Sequence, residues 1–86
     1  MQTKIDIAHL GHSIMVLNKW NEVQLVIDGE VRDTYKAVIA FPFTLRGTIE
    51  SEGRQIEIVL QMKLRILGGT LTLSADGQEL AKTWML

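Results

Sequence analysis

The chain has 86 residues, 47% of them hydrophobic, with a formal net charge of −1 and no cysteine. That length holds one domain, and the lack of cysteine excludes a disulfide framework, a thiolate metal site and a cysteine nucleophile. The near-neutral charge argues against generic binding to nucleic acid or to an acidic membrane surface, since both want clustered basic charge.

A mean hydropathy of +0.13 is high for so short a chain, which cannot bury all of its apolar residues. Part of the excess should surface as a patch, and such patches mark a protein partner or self-association. Small secreted domains usually need covalent staples, so a cysteine-free chain points to a reducing, cytoplasmic setting. The opening Met1-Gln2-Thr3-Lys4-Ile5-Asp6 has no uninterrupted apolar stretch and is not a signal peptide. No segment approaches the roughly 20 apolar residues that span a bilayer.

In chain order, alternation and turn residues predict strands over Lys4–His9, Ser13–Leu17, Val23–Ile27, Val31–Tyr35, Thr44–Glu50, Ile56–Ile66, Gly69–Ala75 and Leu80–Met85. The sixth carries the clearest signal. Ile56, Ile58, Leu60, Met62, Leu64 and Ile66 alternate with Glu57, Val59, Gln61, Lys63 and Arg65, so one face meets a core and the other meets water. Pro42 lies in the apolar run Ala37–Phe43 and, having no N–H to donate, marks a break in the chain.

That break separates two copies of one four-strand unit, 4–36 and 44–86, joined by a linker over 37–43. Gly11 falls on Gly53 at an offset of 42, with Ile7, Ile14 and Val16 on Ile49, Ile56 and Ile58. Leu25, Asp28 and Gly29 fall on Leu73, Asp76 and Gly77 at an offset of 48. One further slip pairs Val31, Thr34 and Tyr35 with Leu80, Thr83 and Trp84. On this reading Asp28-Gly29-Glu30 is a three-residue loop and Asp76-Gly77-Gln78-Glu79 a four-residue one. The extra residue would put Leu71, Leu73, Ala75, Leu80 and Trp84 on one face. Ile7 should pair with Ile14 and Ile5 with Val16, mirrored by Ile49 with Ile56 and Gly47 with Ile58.

Two meanders, each apolar on one face, predict an all-β fold. It is a small antiparallel β-sandwich of eight strands in a single domain, with a partly open β-barrel as the alternative. The order resembles the duplicated β-sandwich domain of the Fas apoptosis inhibitory molecule family, whose hairpins turn on Asp-Gly before a charged strand. Asp76-Gly77-Gln78-Glu79-Leu80-Ala81-Lys82-Thr83-Trp84-Met85 carries the likeness, and Asp28-Gly29-Glu30-Val31 echoes it. The family's tryptophan-led first strand and its basic glycine loop after a histidine have no match. The resemblance implies a duplicated β-sandwich with a non-enzymatic interaction role.

No catalytic constellation assembles in the sequence. His9 and His12 face each other across Leu10-Gly11, but Asp6, the one nearby ligand, points to the opposite face, so both read as surface histidines. Ser13, Ser51 and Ser74 lack a nucleophile motif. Glu50, Glu52, Glu57, Asp28 and Asp76 have turn or surface roles, with the aspartates bonding their own backbone or accepting positive φ. Gly68-Gly69 lacks the Lys-Ser/Thr and the helix of a phosphate loop. Trp84 and Tyr35 read as core aromatics, and Trp20 as a turn residue.

The most informative surface is the end of the long strand. Gln61, Met62, Lys63, Leu64, Arg65 and Ile66 are extra material, since 24 residues separate Gly53 from Gly77 and 18 separate Gly11 from Gly29. If this end overhangs its sheet, it is an unpaired edge open to strand addition by a partner, with Lys63 and Arg65 serving equally as gatekeepers against it. The expectation is a non-catalytic protein-binding module that forms a homodimer and takes no cofactor, nucleic acid or membrane. The alternative is a carrier holding a small apolar ligand between the sheets or in a barrel.

Overall fold

The computed structural model describes residues 1–36 and 42–85. Its strands are β1 (Gln2–His9), β2 (His12–Lys19), β3 (Glu22–Ile27), β4 (Glu30–Lys36), β5 (Phe43–Ser51), β6 (Arg54–Leu64), β7 (Gly69–Ala75) and β8 (Gln78–Met85). They form two antiparallel four-stranded meanders, β1-β2-β3-β4 and β5-β6-β7-β8, one from each sequence copy. No backbone ladder joins β4 to β5 or β8 to β1, so the fold is a β-sandwich and the barrel does not close. Pro42 immediately precedes β5. Phe43, expected in the linker, is the first residue of β5 and is buried. The rest of the expected linker, 37–41, lies outside the described residues. Among the described residues no helix is long and apolar enough to cross a membrane.

Four hairpins turn on two residues with positive φ: Leu10-Gly11, Asp28-Gly29, Glu52-Gly53 and Asp76-Gly77. Two successive positive-φ residues match the right-handed twist of the flanking strands, which favours glycine at the second position. The pairings Ile7–Ile14, Ile5–Val16, Ile49–Ile56 and Gly47–Ile58 are those that the repeat predicted.

The Asp-Gly hairpins differ from expectation. Both have two-residue turns, Ile27 facing Glu30 and Ala75 facing Gln78, and both carry a bulge: Arg32 is the extra residue in β4, Leu80 the extra residue in β8. The bulges are equivalent, so the offset stays at 48 and the further slip is not present. In the first copy a three-residue loop and a two-residue turn with a bulge give the same register beyond the bulge. Val23 faces Tyr35 as expected. In the second copy the four-residue loop is wrong by one residue. Thr70 faces Trp84, so the indole lies on the outer face, 59% exposed, instead of filling the core. Val31 is exposed as well, whereas Tyr35 and Leu80 do pack against the core.

The core is the inward set of both sheets. Ile14, Val16, Leu25 and Ile27 meet Ile58, Leu60, Met62, Leu71 and Leu73, all fully or almost fully buried. Along one side of the sandwich, β4 lies against β5 at Gly47. A Cβ there would come within 2.9 Å of Ile27 Cδ1 and 3.2 Å of Arg32 Cβ, so glycine is what admits this approach.

Like ends of the two sheets lie together. Near the positive-φ turns His12 Nε2 is 2.8 Å from the Glu50 carbonyl oxygen; toward the other end the Tyr35 and Phe43 rings stack at 4.2 Å. Across the opposite side, Lys4 Nζ donates to the Trp84 carbonyl oxygen at 3.0 Å. The molecule, 40 × 22 × 16 Å, thus has two distinct ends. One holds all four glycine turns. The other holds the Trp20-Asn21 turn, the Arg65–Gly68 loop and the starts of β1 and β5.

Candidate functional site

The expected unpaired edge is not present as drawn. β6 is an inner strand: Gln61 and Met62 face both β5 and β7, and Lys63 and Leu64 face Thr70 and Gly69 of β7. Met62 is core. The strand stops at Leu64 because the chain turns there. The Arg65 N–H donates to the Gly68 carbonyl oxygen at 2.9 Å, and Gly68 takes φ +88°. Gly69 has a separate task, since a Cβ on it would lie 2.9 Å from the Lys63 carbonyl oxygen and 3.0 Å from Met62 Sδ.

Of the six candidate residues, the loop therefore presents Arg65 and Ile66 at the tip of the molecule, with Leu64 half-exposed behind them. Ile66 is 100% exposed and its neighbour Leu67 79%. The other sheet's turn projects Trp20, 89% exposed, from the same end, and Trp84 stands near the end of β8. Of the large apolar side chains exposed elsewhere among the described residues, Leu10 and Val31 sit at the glycine-turn end. Exposed apolar surface is thus concentrated on one end, formed by loops from both sheets.

Charge is segregated along the same axis. Lys4, Lys19, Lys36, Lys63, Arg65 and Lys82 lie toward the loop end, six of the nine cations in the chain. Glu22 is the only carboxylate side chain there among the described residues, paired with Lys19 at 3.9 Å. Asp28, Glu30, Glu50, Glu52, Asp76 and Glu79 gather at the glycine-turn end with Arg32 and Arg54. The net charge of −1 is an average over two ends of opposite sign. Adding charges by strand end, not along the chain, would have revealed this.

A surface groove of about 330 Å³ lies at the loop end, lined by Arg65, Thr70, Lys82, Thr83 and Trp84. Thr70 lies between Lys63 and Trp84 on the outer face of the second sheet. It is buried, and among the described residues its Oγ1 has no hydrogen-bond partner. Arg65 and Lys82 give the groove a positive lining beside the Trp84 indole.

The glycine-turn end carries the other polar cluster, built around His12, which the sequence alone marks as an ordinary surface histidine. His9 and His12 do face each other in the ladder. His12, however, engages Asp28 through Nδ1 at 2.6 Å and the Glu50 carbonyl through Nε2 at 2.8 Å. A carboxylate and a carbonyl both accept, so the geometry favours the ring with a proton on each nitrogen. The hydrogen bond to Asp28, followed by that to Glu50, raises the His12 pKa. The His12 bond, followed by the Ser13 N–H, holds Asp28 below the usual carboxylate value.

The aspartates themselves reach across strands, not back to their own turns. The Asp28 N–H donates to the Ser13 carbonyl and Asp28 Oδ1 accepts from the Ser13 N–H; Asp76 makes the same two bonds with Glu57. Each side chain extends its ladder by one residue. Arg54 takes the position of His12 in the second copy, with Arg54 Nη2 at 3.6 Å from Asp76 Oδ2. This cluster ties strands together. No protein-family model, curated protein or solved structure matches the chain.

Proposed function

We propose that the protein is a non-catalytic protein-interaction module that self-associates as a homodimer through its β1/β8 side. The observation that carries this is the inequality of the sandwich's two long sides. On the β4/β5 side, outward backbone groups of β5 are taken by side chains of the first sheet. Asp33 Oδ2 accepts the Arg46 N–H at 3.0 Å, Arg32 Nη1 donates to the Thr48 carbonyl at 2.9 Å, and His12 donates to that of Glu50. On the other side, among the described residues, Lys4 to Trp84 is the one such bond. Strand edges left without partners pair with another chain unless they are covered.

The edge thus moves from β6, where the sequence suggested it, to β1 and β8. The filled interior, with Ile14, Leu25, Ile58 and Leu60 fully buried, favours interaction over carriage of an apolar ligand. The resemblance to the Fas apoptosis inhibitory molecule family points the same way.

Sedimentation velocity at high micromolar concentration tests this reading. Ala8 is an outward position by alternation from the two-residue turn, so Ala8→Pro keeps the bonds of β1 to β2 while removing a donor from the free edge. A wild-type dimer and an Ala8→Pro monomer of unchanged far-UV spectrum are expected. A wild-type monomer would overturn the proposal.

A further inference from the structure

Symmetric contact between two loop ends would set six cations against six, so this end is a poor surface for a second copy. We propose instead that the loop end docks on an anionic lipid surface. Trp20, Ile66 and Leu67 enter the boundary between headgroups and acyl chains, while Lys63, Arg65 and Lys82 engage the headgroups.

Several observations converge on that partner. The apolar side chains project from loop tips of both sheets at the same end, as insertion into an interface requires. Tryptophan suits the headgroup level, where the indole's apolar body and N–H meet different surroundings. Six cations lie toward the same end with one opposing carboxylate among the described residues, and each basic side chain near an anionic leaflet adds attraction. The acidic glycine turns lie at the far end of the 40 Å axis, so a negative surface orients the molecule loop end first. The groove supplies a local fit, since Arg65 and Lys82 line it together and would meet a headgroup phosphate or carboxylate. Lys82 and Trp84 lie on β8, but Trp20, Ile66 and Leu67 lie on loops away from the β1/β8 edge, and Ala8, near the glycine-turn end, tests the dimer without touching the docking surface.

The two tryptophans, the only ones in the chain, both lie at this end, so intrinsic fluorescence reports docking directly. The full chain is mixed with vesicles of phosphatidylcholine alone or of phosphatidylcholine with phosphatidylserine, and followed by flotation and emission. Expected is flotation with the mixed vesicles, a blue-shifted emission, and release at high salt. Replacing Lys63, Arg65 and Lys82 with Gln should lower the partition coefficient by about two orders of magnitude, about fivefold for each cation. Ile66→Asp with Leu67→Asp should lower it by more than about tenfold. Both sites are exposed loop positions, so the fold survives and sedimentation is unchanged. Glu52→Gln and Glu79→Gln, at the far end, should cause no loss.

The proposal is overturned by equal binding to uncharged vesicles, by equal loss in the far-end variants, or by no flotation. It is also overturned if polyglutamate or an oligonucleotide binds more tightly than vesicles at the same ionic strength. Full competition by soluble glycerophosphoserine would leave a headgroup pocket without insertion, and that too would overturn it.

Discussion

His12 and Glu50 belong to different sheets, yet Nε2 of the first lies 2.8 Å from the carbonyl oxygen of the second. With Asp28 on the other ring nitrogen, His12 connects the first Asp-Gly turn to the free edge of β5. Arg32 and Asp33, placed side by side by the β4 bulge, continue the same seam. The sandwich is thus stitched along one side by side chains bonding to backbone.

This clasp makes stability depend on pH in a stated direction. His12 has a raised pKa in the fold, so its contribution is complete below the ordinary value of 6.5 and is lost as pH rises through the folded value. Asp28 has a lowered pKa, so its contribution is present above 3.8 and is lost as pH falls through the folded value. The difference in Tm between wild type and His12→Ala should be widest between those limits, near pH 5, and should narrow toward pH 9. A difference that stays constant with pH would rule out the imidazolium clasp.

Gly69 stands where a methyl group has no room. A Cβ would strike the Lys63 carbonyl, which is backbone held in a ladder and cannot move aside. Gly69→Ala should destabilise by about 1–3 kcal/mol, measured by urea unfolding. Gly68→Ala addresses a different constraint, the positive φ, and should cost about 1 kcal/mol.

Leu10 holds φ +51° in the first position of its turn, where a leucine is strained and an asparagine is at ease. Leu10→Asn should raise stability by about 0.5–1 kcal/mol and remove an exposed apolar group. Differential scanning calorimetry would show the higher Tm.

The aromatic residues should separate by location. Phe43 is buried and stacked on Tyr35, so Phe43→Ala should cost about 3–5 kcal/mol. Trp84 stands on the outer face, and Trp84→Ala should cost less than about 1 kcal/mol in unfolding experiments.

Much of this fold was legible in the chain. Period-two alternation and paired positive-φ turn residues act locally, so eight strands, two meanders and the boundary at Pro42 follow from neighbours in sequence. Trp84 shows where local reading stopped. A bulge and a longer loop can each absorb one extra residue, and only the pairing of Thr70 with Trp84 distinguishes them. The one-residue difference moved an indole from the core to the surface.

The end-to-end polarity lay further out of reach. Lys4, Lys19, Lys36 and Lys82 sit on four strands and are scattered in sequence; they share one end because alternate strands reverse direction and the sheets stack with like ends together. By itself the sequence determined which residues alternate and where the chain turns, because those depend on backbone conformation over a few residues. Tertiary structure alone decided that six cations and the exposed Trp20, Ile66, Leu67 and Trp84 meet at one pole. Charge and apolar surface add up across space, and the chain's net charge had cancelled them.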